Sequence, residues 1–174
     1  MTSSRSWTGC GSGYPCVSST AAPSTATNQT ATTATYPDAL TLAYDENDLD
    51  ATWDESKASF ITLADGSIRF DGAGAGTSAT AEGNKVTITA AGTYVVSGAV
   101  SDGQIVVDVE ESGLVRLVLN GACVTCSTSA PIYVKSAEKV ILVLADGTEN
   151  VVSDGDSYVF DDAESDEPNA AIFS

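Results

Sequence analysis

Five short apolar segments between residues 92 and 154 hold most of the information about the fold: GTYVVSG (92–98), GQIVVDV (103–109), GLVRLVLNG (113–121), APIYVKS (130–136) and EKVILVLADG (138–147). Each segment is rich in Val, Ile, Leu or Tyr and is punctuated by Gly, Asp, Ser or Asn, a pattern that is typical of β-strands and their turns. No window of this region favours a helix. The sequence therefore predicts an all-β fold.

A two-strand pattern occurs twice within this region. Residues 104–108 align with 131–135 at an offset of 27, and residues 115–119 align with 140–144 at an offset of 25. A repeat of this length that carries its own strands is typical of a solenoid, in which each unit stacks on the one before it. We therefore expect a β-solenoid.

Alternation along the strands assigns their two faces. The residues expected to face the core are Ile105, Val107, Val115, Leu117 and Leu119, with Ile132, Val134, Val140, Leu142 and Leu144 stacked on them. On the other face, Asp108 and Lys135 should form a surface ion pair that stabilises the fold by about 0–1 kcal/mol.

Several outward positions are also apolar: Val95, Val106, Val118, Tyr133, Ile141 and Val143. Exposed apolar rows usually mean that something covers them. A covering N-terminal segment is the preferred explanation, and a binding or assembly surface is the alternative.

Acidic residues dominate the charge, because 24 Asp and Glu face only 7 Lys and Arg, which gives a net charge of −17 without any His. Such a surface repels nucleic acid and anionic membranes and attracts cations. The absence of His removes the commonest general base and the usual zinc ligand, so that calcium is the metal this composition favours.

The first 35 residues differ from the rest. Residues 1–16 are interpreted as an anchor or signal remnant, because Cys10 follows a small residue and precedes Gly and Ser, as at the end of a bacterial lipoprotein signal. Lipidation of Cys10 would be the only membrane contact. A Cys10–Cys16 disulfide and two idle thiols are the alternatives. Residues 17–35 are rich in Ser, Thr and Ala, a composition that predicts a disordered linker.

The remaining chain divides into two predicted parts. Residues 36–91 are interpreted as cap strands at the N-terminal end of the solenoid, and residues 92–174 as its coils, with an acidic insertion at 153–168. Residues 169–174 resemble 129–134 and so begin another coil. A coil left open there would expose a bare strand edge, which proteins avoid. We therefore expect either a truncated solenoid or another chain that continues the stack.

The acidic insertion is the best candidate site. Four carboxylates with a neighbouring Gly to bend the backbone could supply oxygen ligands to calcium: Asp154, Asp156, Asp161 and Asp162. The alternative is a solvated acidic loop. For carbohydrate, Tyr133 and Tyr158 are the aromatic candidates, because exposed rings can stack on sugars.

Two further patterns bear on chemistry. The CxxC motif at Cys123 and Cys126 follows a strand without a helix, which favours two buried thiols or a structural disulfide over redox work, and a disulfide would require a turn between them. Arg69 and Arg116 are isolated in the sequence, and no acid pair stands out. We therefore expect no catalytic residues, and a polysaccharide lyase-like enzyme is the third interpretation.

A series of motifs resembles one known family: YDENDL (44–49), AGTYVVSG (91–98), DGQIVVD (102–108), LVLNG (117–121), APIYVK (130–135), ADGTEN (145–150) and EPNAAI (167–172). These are the bacterial surface proteins called carbohydrate-binding domain-containing. The resemblance covers about residues 40–174. It implies a right-handed parallel β-helix, shaped like pectate lyases but non-catalytic, which binds calcium and associates with cellulose and polygalacturonate.

Taken together, these patterns predict a secreted or surface-anchored bacterial protein that binds a uronic-acid polymer or cellulose with the help of calcium. The alternative is a structural protein that forms filaments by coil stacking or strand addition, with self-association through the open C-terminal coil. No nucleic-acid partner is expected.

Overall fold

The computed structural model describes residues 45–160, 167 and 169–174. Two 3₁₀ turns, Glu46–Leu49 and Glu55–Lys57, precede the strands. The strands are β1 (Ser59–Leu63), β2 (Arg69–Gly72), β3 (Ala79–Glu82), β4 (Lys85–Ile88), β5 (Gly92–Val100), β6 (Gln104–Asp108), β7 (Leu114–Cys126), β8 (Ile132–Ser136), β9 (Lys139–Leu144), β10 (Val151–Asp154) and β11 (Ile172–Phe173).

These strands form two mixed sheets. The six-stranded sheet has the order β10-β7-β5-β1-β2, with β9 also paired to β7, and the five-stranded sheet has the order β11-β8-β6-β4-β3. The pairs β1–β2 and β3–β4 are antiparallel. The other pairs are parallel.

The predicted right-handed parallel β-helix is therefore wrong. The all-β class is confirmed, but the sheets are mixed, and the described strands form no closed solenoid. The repeat does identify neighbouring strands, because Ile105 pairs with Ile132 and Leu117 pairs with Leu142. A repeat does not determine how the first strands pair. Here the turns at 65–66 and 83–84 fold the chain back on itself and create the antiparallel pairs.

The main core lies between the two sheets and contains most of the predicted core residues. Ile105, Val107, Val115, Leu117, Leu119 and Ile132 are buried, and Val134 and Val140 pack against them. Leu142 and Leu144 stack on Leu117 and Leu119 as predicted, but the expected burial is wrong, because these residues are 37% and 64% exposed. Both lie on β9, which pairs with β7 alone among the described strands, so that its other edge is open.

A second apolar cluster covers the outer face of the six-stranded sheet. Val95, Val118 and Val143 are buried there, with Trp53 and Phe60 packed against them. Because Trp53 precedes the first strand, the predicted covering by an N-terminal segment is confirmed for this sheet.

Ion pairs hold the same N-terminal segment on the sheet. Lys139 on β9 contacts the carboxylates of Asp45 and Asp48. Arg116 on β7 lies 3.5 Å from the Asp50 carboxylate and donates a hydrogen bond to its backbone carbonyl. Hydrogen bonds from Lys139 are the main cause of the lowered pKa of both Asp45 and Asp48.

A bulge bends β7 in its middle. Val96 pairs with Leu119 and Gly98 pairs with Ala122, so β7 has one residue more than β5 between these pairs. In the next layer the corresponding strand divides into β9 and β10, which are separated by residues 145–150. The Asn150 side-chain oxygen accepts hydrogen bonds from the backbone N–H groups of Gly121 and Ala122, both at 2.9 Å.

Replacement of Asn150 by Ala should therefore destabilise the fold. Two backbone N–H groups at the bulge would lose their acceptor. The exposed Gly121 can bond to water instead, but Ala122 is buried, and an unsatisfied buried donor costs about 1–3 kcal/mol. Asn150→Asp is the matched control because it keeps an acceptor oxygen in the same place. Urea unfolding followed by circular dichroism measures both variants. An Asn150→Ala protein as stable as Asn150→Asp would contradict this assignment.

Candidate functional site

The acidic loop begins where β10 ends. Parallel pairing with β7 places Asp154 beside Cys126. The Asp154 carboxylate is half-buried and accepts a hydrogen bond from the Tyr158 hydroxyl. This hydrogen bond is the main reason that the pKa of Tyr158 lies above its usual value. Asp156 is exposed.

The start of this loop is fixed against the turn that follows β7. A Cβ atom on Gly155 would lie 2.1 Å from the Ser127 carbonyl oxygen, so only glycine fits there. The Val159 N–H donates a hydrogen bond to the Thr128 carbonyl at 2.8 Å. Gly155 therefore has a packing role, whereas the sequence pattern indicated a backbone bend around a cation.

The predicted calcium ligands divide between two parts of the chain. Asp154 and Asp156 belong to the described residues, whereas Asp161 and Asp162 lie outside them. Within the described ranges, no three His, Cys, Asp or Glu side chains converge as a metal site would require. Two carboxylates are too few for a calcium ion, which takes six to eight oxygen ligands. A site at this loop would therefore need further oxygen ligands, which Asp161, Asp162, backbone carbonyls or water could supply.

Tyr133 lies on the outer face of the five-stranded sheet. The strand register places Val106, Tyr133 and Phe173 in one row across β6, β8 and β11. The ring centroids of Tyr133 and Phe173 are 5.9 Å apart, and the ring planes are inclined at 58°. Phe173 was missed as a candidate. The similarity between residues 169–174 and 129–134 could have identified it, because it aligns Phe173 with Tyr133.

Tyr158 has a different aromatic neighbour. Its ring is nearly parallel to that of Phe160, with centroids 6.2 Å apart and planes inclined at 5°. The two predicted sugar-binding tyrosines are thus each paired with another ring, one pair on the sheet and one in the loop after β10.

Charged side chains flank the Tyr133 row. The Lys135 ammonium lies 2.8 Å from the Asp108 carboxylate, which confirms the predicted ion pair. The hydrogen bond that Lys135 donates to Asp108 is the main cause of the raised pKa of Lys135. Beside this pair, Asp108 lines an open cleft of about 340 Å³ together with Thr89, Glu110 and Glu111.

The CxxC motif lies within β7. Cys123 is partly buried, Cys126 is buried, and they form no disulfide with each other. An extended strand separates the Cα atoms of residues i and i+3 by roughly 10 Å, and a disulfide requires less than about 7 Å. The disulfide alternative for Cys123 and Cys126 is therefore wrong. The candidate lipidation site Cys10, its partner Cys16 and the predicted linker 17–35 lie outside the described residues, and the domain boundaries stay predictions.

The two arginines considered for catalysis are on different strands. Arg116 on β7 is held by Asp50, and Arg69 on β2 is exposed. Two strands separate β7 from β2 in the sheet. At about 4.8 Å per strand, the two strands lie roughly 14 Å apart. The arginines are therefore not brought together. No helix in the described part of the chain is long and apolar enough to span a membrane.

Comparisons with known proteins identify relatives of the second half of the chain. A family model described as carbohydrate-binding domain-containing protein matches residues 82–174. A protein of that description from Acetivibrio thermocellus is 49% identical over 90 residues, which are 52% of this chain and 32% of the relative. The chain thus spans about a third of that relative's length.

A solved structure is also similar. It is the polysaccharide lyase-like protein from C. thermocellum, determined as a gadolinium derivative, with a TM-score of 0.62 and 39% sequence identity. The match covers 67% of this chain and 46% of the solved one. The chain therefore spans less than half of that structure.

The packing role of Gly155 predicts that Gly155→Ala destabilises the protein by about 1–3 kcal/mol, because the new methyl group overlaps backbone atoms. Gly147→Ala is the comparison, since a Cβ there meets nothing within 4 Å and only its φ of 74° is unfavourable. Denaturant unfolding gives the two free energies. Equal costs would show that the contact with Ser127 is unimportant.

Proposed function

Because this chain belongs to the family of carbohydrate-binding domain-containing proteins, we propose that it is a non-catalytic extracellular protein that binds polysaccharide with the help of calcium. The observation that carries this proposal is the family match, which covers residues 82–174 and hence the strands from β4 to β11. The proposed ligand is a uronic-acid polymer or cellulose at the bacterial cell surface.

The outer face of the five-stranded sheet supports carbohydrate binding. Tyr133 and Phe173 are both partly exposed there. Aromatic rings offer a flat apolar surface, and the hydroxyl of Tyr adds a polar group at its edge. Sugar rings have the complementary character, with apolar C–H faces and polar hydroxyl edges.

The arrangement of the arginines supports a non-catalytic role. A lyase needs a cationic or neutral base aimed at the substrate. The Arg116 side chain is only 12% exposed and is engaged by Asp50, whereas Arg69 is on a distant strand of the same sheet. The solved relative's description as lyase-like therefore does not extend to a catalytic proposal for this chain.

The acidic composition supports the proposed use of calcium. A net charge of −17 attracts divalent cations, and Asp154, Asp156, Asp161 and Asp162 come within nine residues of one another. Calcium held by this loop would stabilise the folded state. It would also offer a positive centre to the carboxylates of a uronic-acid polymer.

A thermal melt with calcium and with EDTA tests the metal. If the native state binds calcium, the midpoint should rise, because a ligand present at one hundred times its dissociation constant adds about 2.7 kcal/mol. The Asp154→Asn/Asp156→Asn variant should lose this rise, and Asp146→Asn/Glu149→Gln, which removes the same charge elsewhere, should keep it. An unchanged midpoint of the parent protein at millimolar calcium would exclude the calcium proposal.

Surface attachment is proposed to occur through lipidation of Cys10, which would leave the Ser/Thr/Ala-rich segment 17–35 as a tether. Metabolic labelling with a palmitate analogue in a bacterial host that carries the full precursor would detect the lipid. A Cys10→Ser protein that is still labelled would contradict this site.

A second candidate function is self-assembly by strand addition, and one observation favours it. The outer edge of β9 is unpaired within the described residues, and Leu142 and Leu144 on that strand are exposed. Long exposed edges with apolar side chains promote pairing with another chain. Filaments or large species that form with rising concentration, without added polysaccharide, would support this function over the first.

A further inference from the structure

We propose that the Tyr133–Phe173 ring pair is the sugar-binding subsite, and that it binds a single, uncharged, twisted polysaccharide chain in preference to a flat crystalline surface. This inference rests on the proposed carbohydrate-binding function and adds to it a place, a chemical class and a shape of ligand.

The strand register builds the subsite. Ile105 and Ile132 face the core, so their neighbours Val106 and Tyr133 face outward on adjacent strands. Val106 is buried, whereas Tyr133 and Phe173 keep part of their surface in solvent. The row therefore presents two rings on a rigid sheet, which loses little conformational entropy when a ligand binds.

The hydroxyl of Tyr133 is available to a ligand. Of the three described tyrosines, Tyr94 donates to the carbonyl of Ala90 at 2.7 Å and Tyr158 donates to Asp154. Tyr133 has no hydrogen-bond partner for its hydroxyl among the described residues. A sugar hydroxyl beside the ring can supply that partner, which makes Tyr133 a better subsite residue than Tyr158.

A polar pair borders the rings on the same face. Asp108 follows Val106 by two residues and therefore points to the same side of β6. The Lys135 ammonium is bound to the Asp108 carboxylate, and the side chains of Lys135 and Asp108 are 57% and 30% exposed. Together they offer a donor and an acceptor for sugar hydroxyls, and the charges of these two side chains cancel each other.

Nearby charge decides against a uronate at this subsite. The cleft beside Asp108 also contains Glu110 and Glu111, both exposed, and the whole chain carries a net charge of −17. A carboxylate on each sugar would be repelled by this surface. An uncharged polysaccharide meets no such cost.

The angle between the rings decides the shape of the ligand. A crystalline polysaccharide surface is flat, and coplanar rings are needed to lie on it. The planes of Tyr133 and Phe173 are inclined at 58°, so both rings cannot contact one flat surface. Successive sugars of a single chain can turn relative to one another, and each ring can then contact its own sugar.

Pull-down assays with three probes test the subsite: phosphoric-acid-swollen cellulose, crystalline cellulose, and polygalacturonate with millimolar calcium. The parent protein should bind swollen cellulose best. Tyr133→Val and Phe173→Val should each weaken that binding about ten-fold, the equivalent of about 1.4 kcal/mol, because each variant loses the flat apolar ring on which a sugar stacks. Valine keeps the strand propensity.

Two control variants make the result specific. Tyr158→Val removes the other partly exposed tyrosine and should leave binding unchanged. Tyr133→Phe keeps the ring and loses the hydroxyl, and should weaken binding about five-fold, the equivalent of one lost hydrogen bond. Equal thermal midpoints of parent and variants would show that the variants are folded.

The outcomes separate this inference from the proposed function. If the Tyr133→Val and Phe173→Val variants bind a probe as well as the parent protein does, the subsite is overturned but carbohydrate binding stands. So does tighter binding to crystalline cellulose, or binding to polygalacturonate alone. A parent protein that binds none of the three probes overturns the subsite together with the function on which it rests.

Discussion

Parallel pairing along β7 is the constraint on which the other features of the structure depend. This strand pairs with β5 on one side and with both β9 and β10 on the other. Parallel pairing without offset places large apolar side chains over one another, as in the row Tyr94, Leu117 and Leu142. The bulge near Gly121 then bends the strand, and the pairing of β10 beyond the bulge brings Asp154 beside Cys126 and Gly155 against Ser127. The position of the acidic loop is thus a consequence of strand register.

The excess of carboxylates has a structural use that composition does not reveal. Asp65 accepts hydrogen bonds from the N–H and the hydroxyl of Ser101, and Asp102 does the same for Ser127. Each Asp side chain thereby accepts hydrogen bonds from a turn in the next layer of strands. The hydrogen bonds from Ser101 also lower the pKa of Asp65. In this fold, part of the Asp content thus serves to accept hydrogen bonds from turns, in addition to attracting cations. The acidic composition alone therefore does not locate a metal site.

The parallel strand pairs could be predicted from the sequence, whereas the antiparallel pairs could not. The repeat aligned Ile105 with Ile132, and these two residues do pair. It also aligned Asp108 with Lys135, which form an ion pair although a register shift pairs the backbone of Asp108 with Ser136. The antiparallel pairs depend on single turns, such as the one at Gly83, which a repeat does not encode. Contacts between residues that are far apart in the sequence could not be predicted either. Arg116 and Asp50 are 66 residues apart, and the hydrogen bond between Tyr158 and Asp154 requires a loop conformation that no periodicity specifies.

The two outer faces of the sheets show where a ligand has room. On the six-stranded sheet, Trp53 covers the outward row of Val95, Val118 and Val143, and the ion pairs of Lys139 hold the covering segment in place. The described residues form no comparable cluster over the five-stranded sheet. Its outward row instead ends in two partly exposed rings, Tyr133 and Phe173. The same alternation of apolar residues thus has two different outcomes. One row is covered by the protein itself, and the other keeps aromatic surface in solvent, which is costly for the isolated protein unless a ligand with apolar faces uses it.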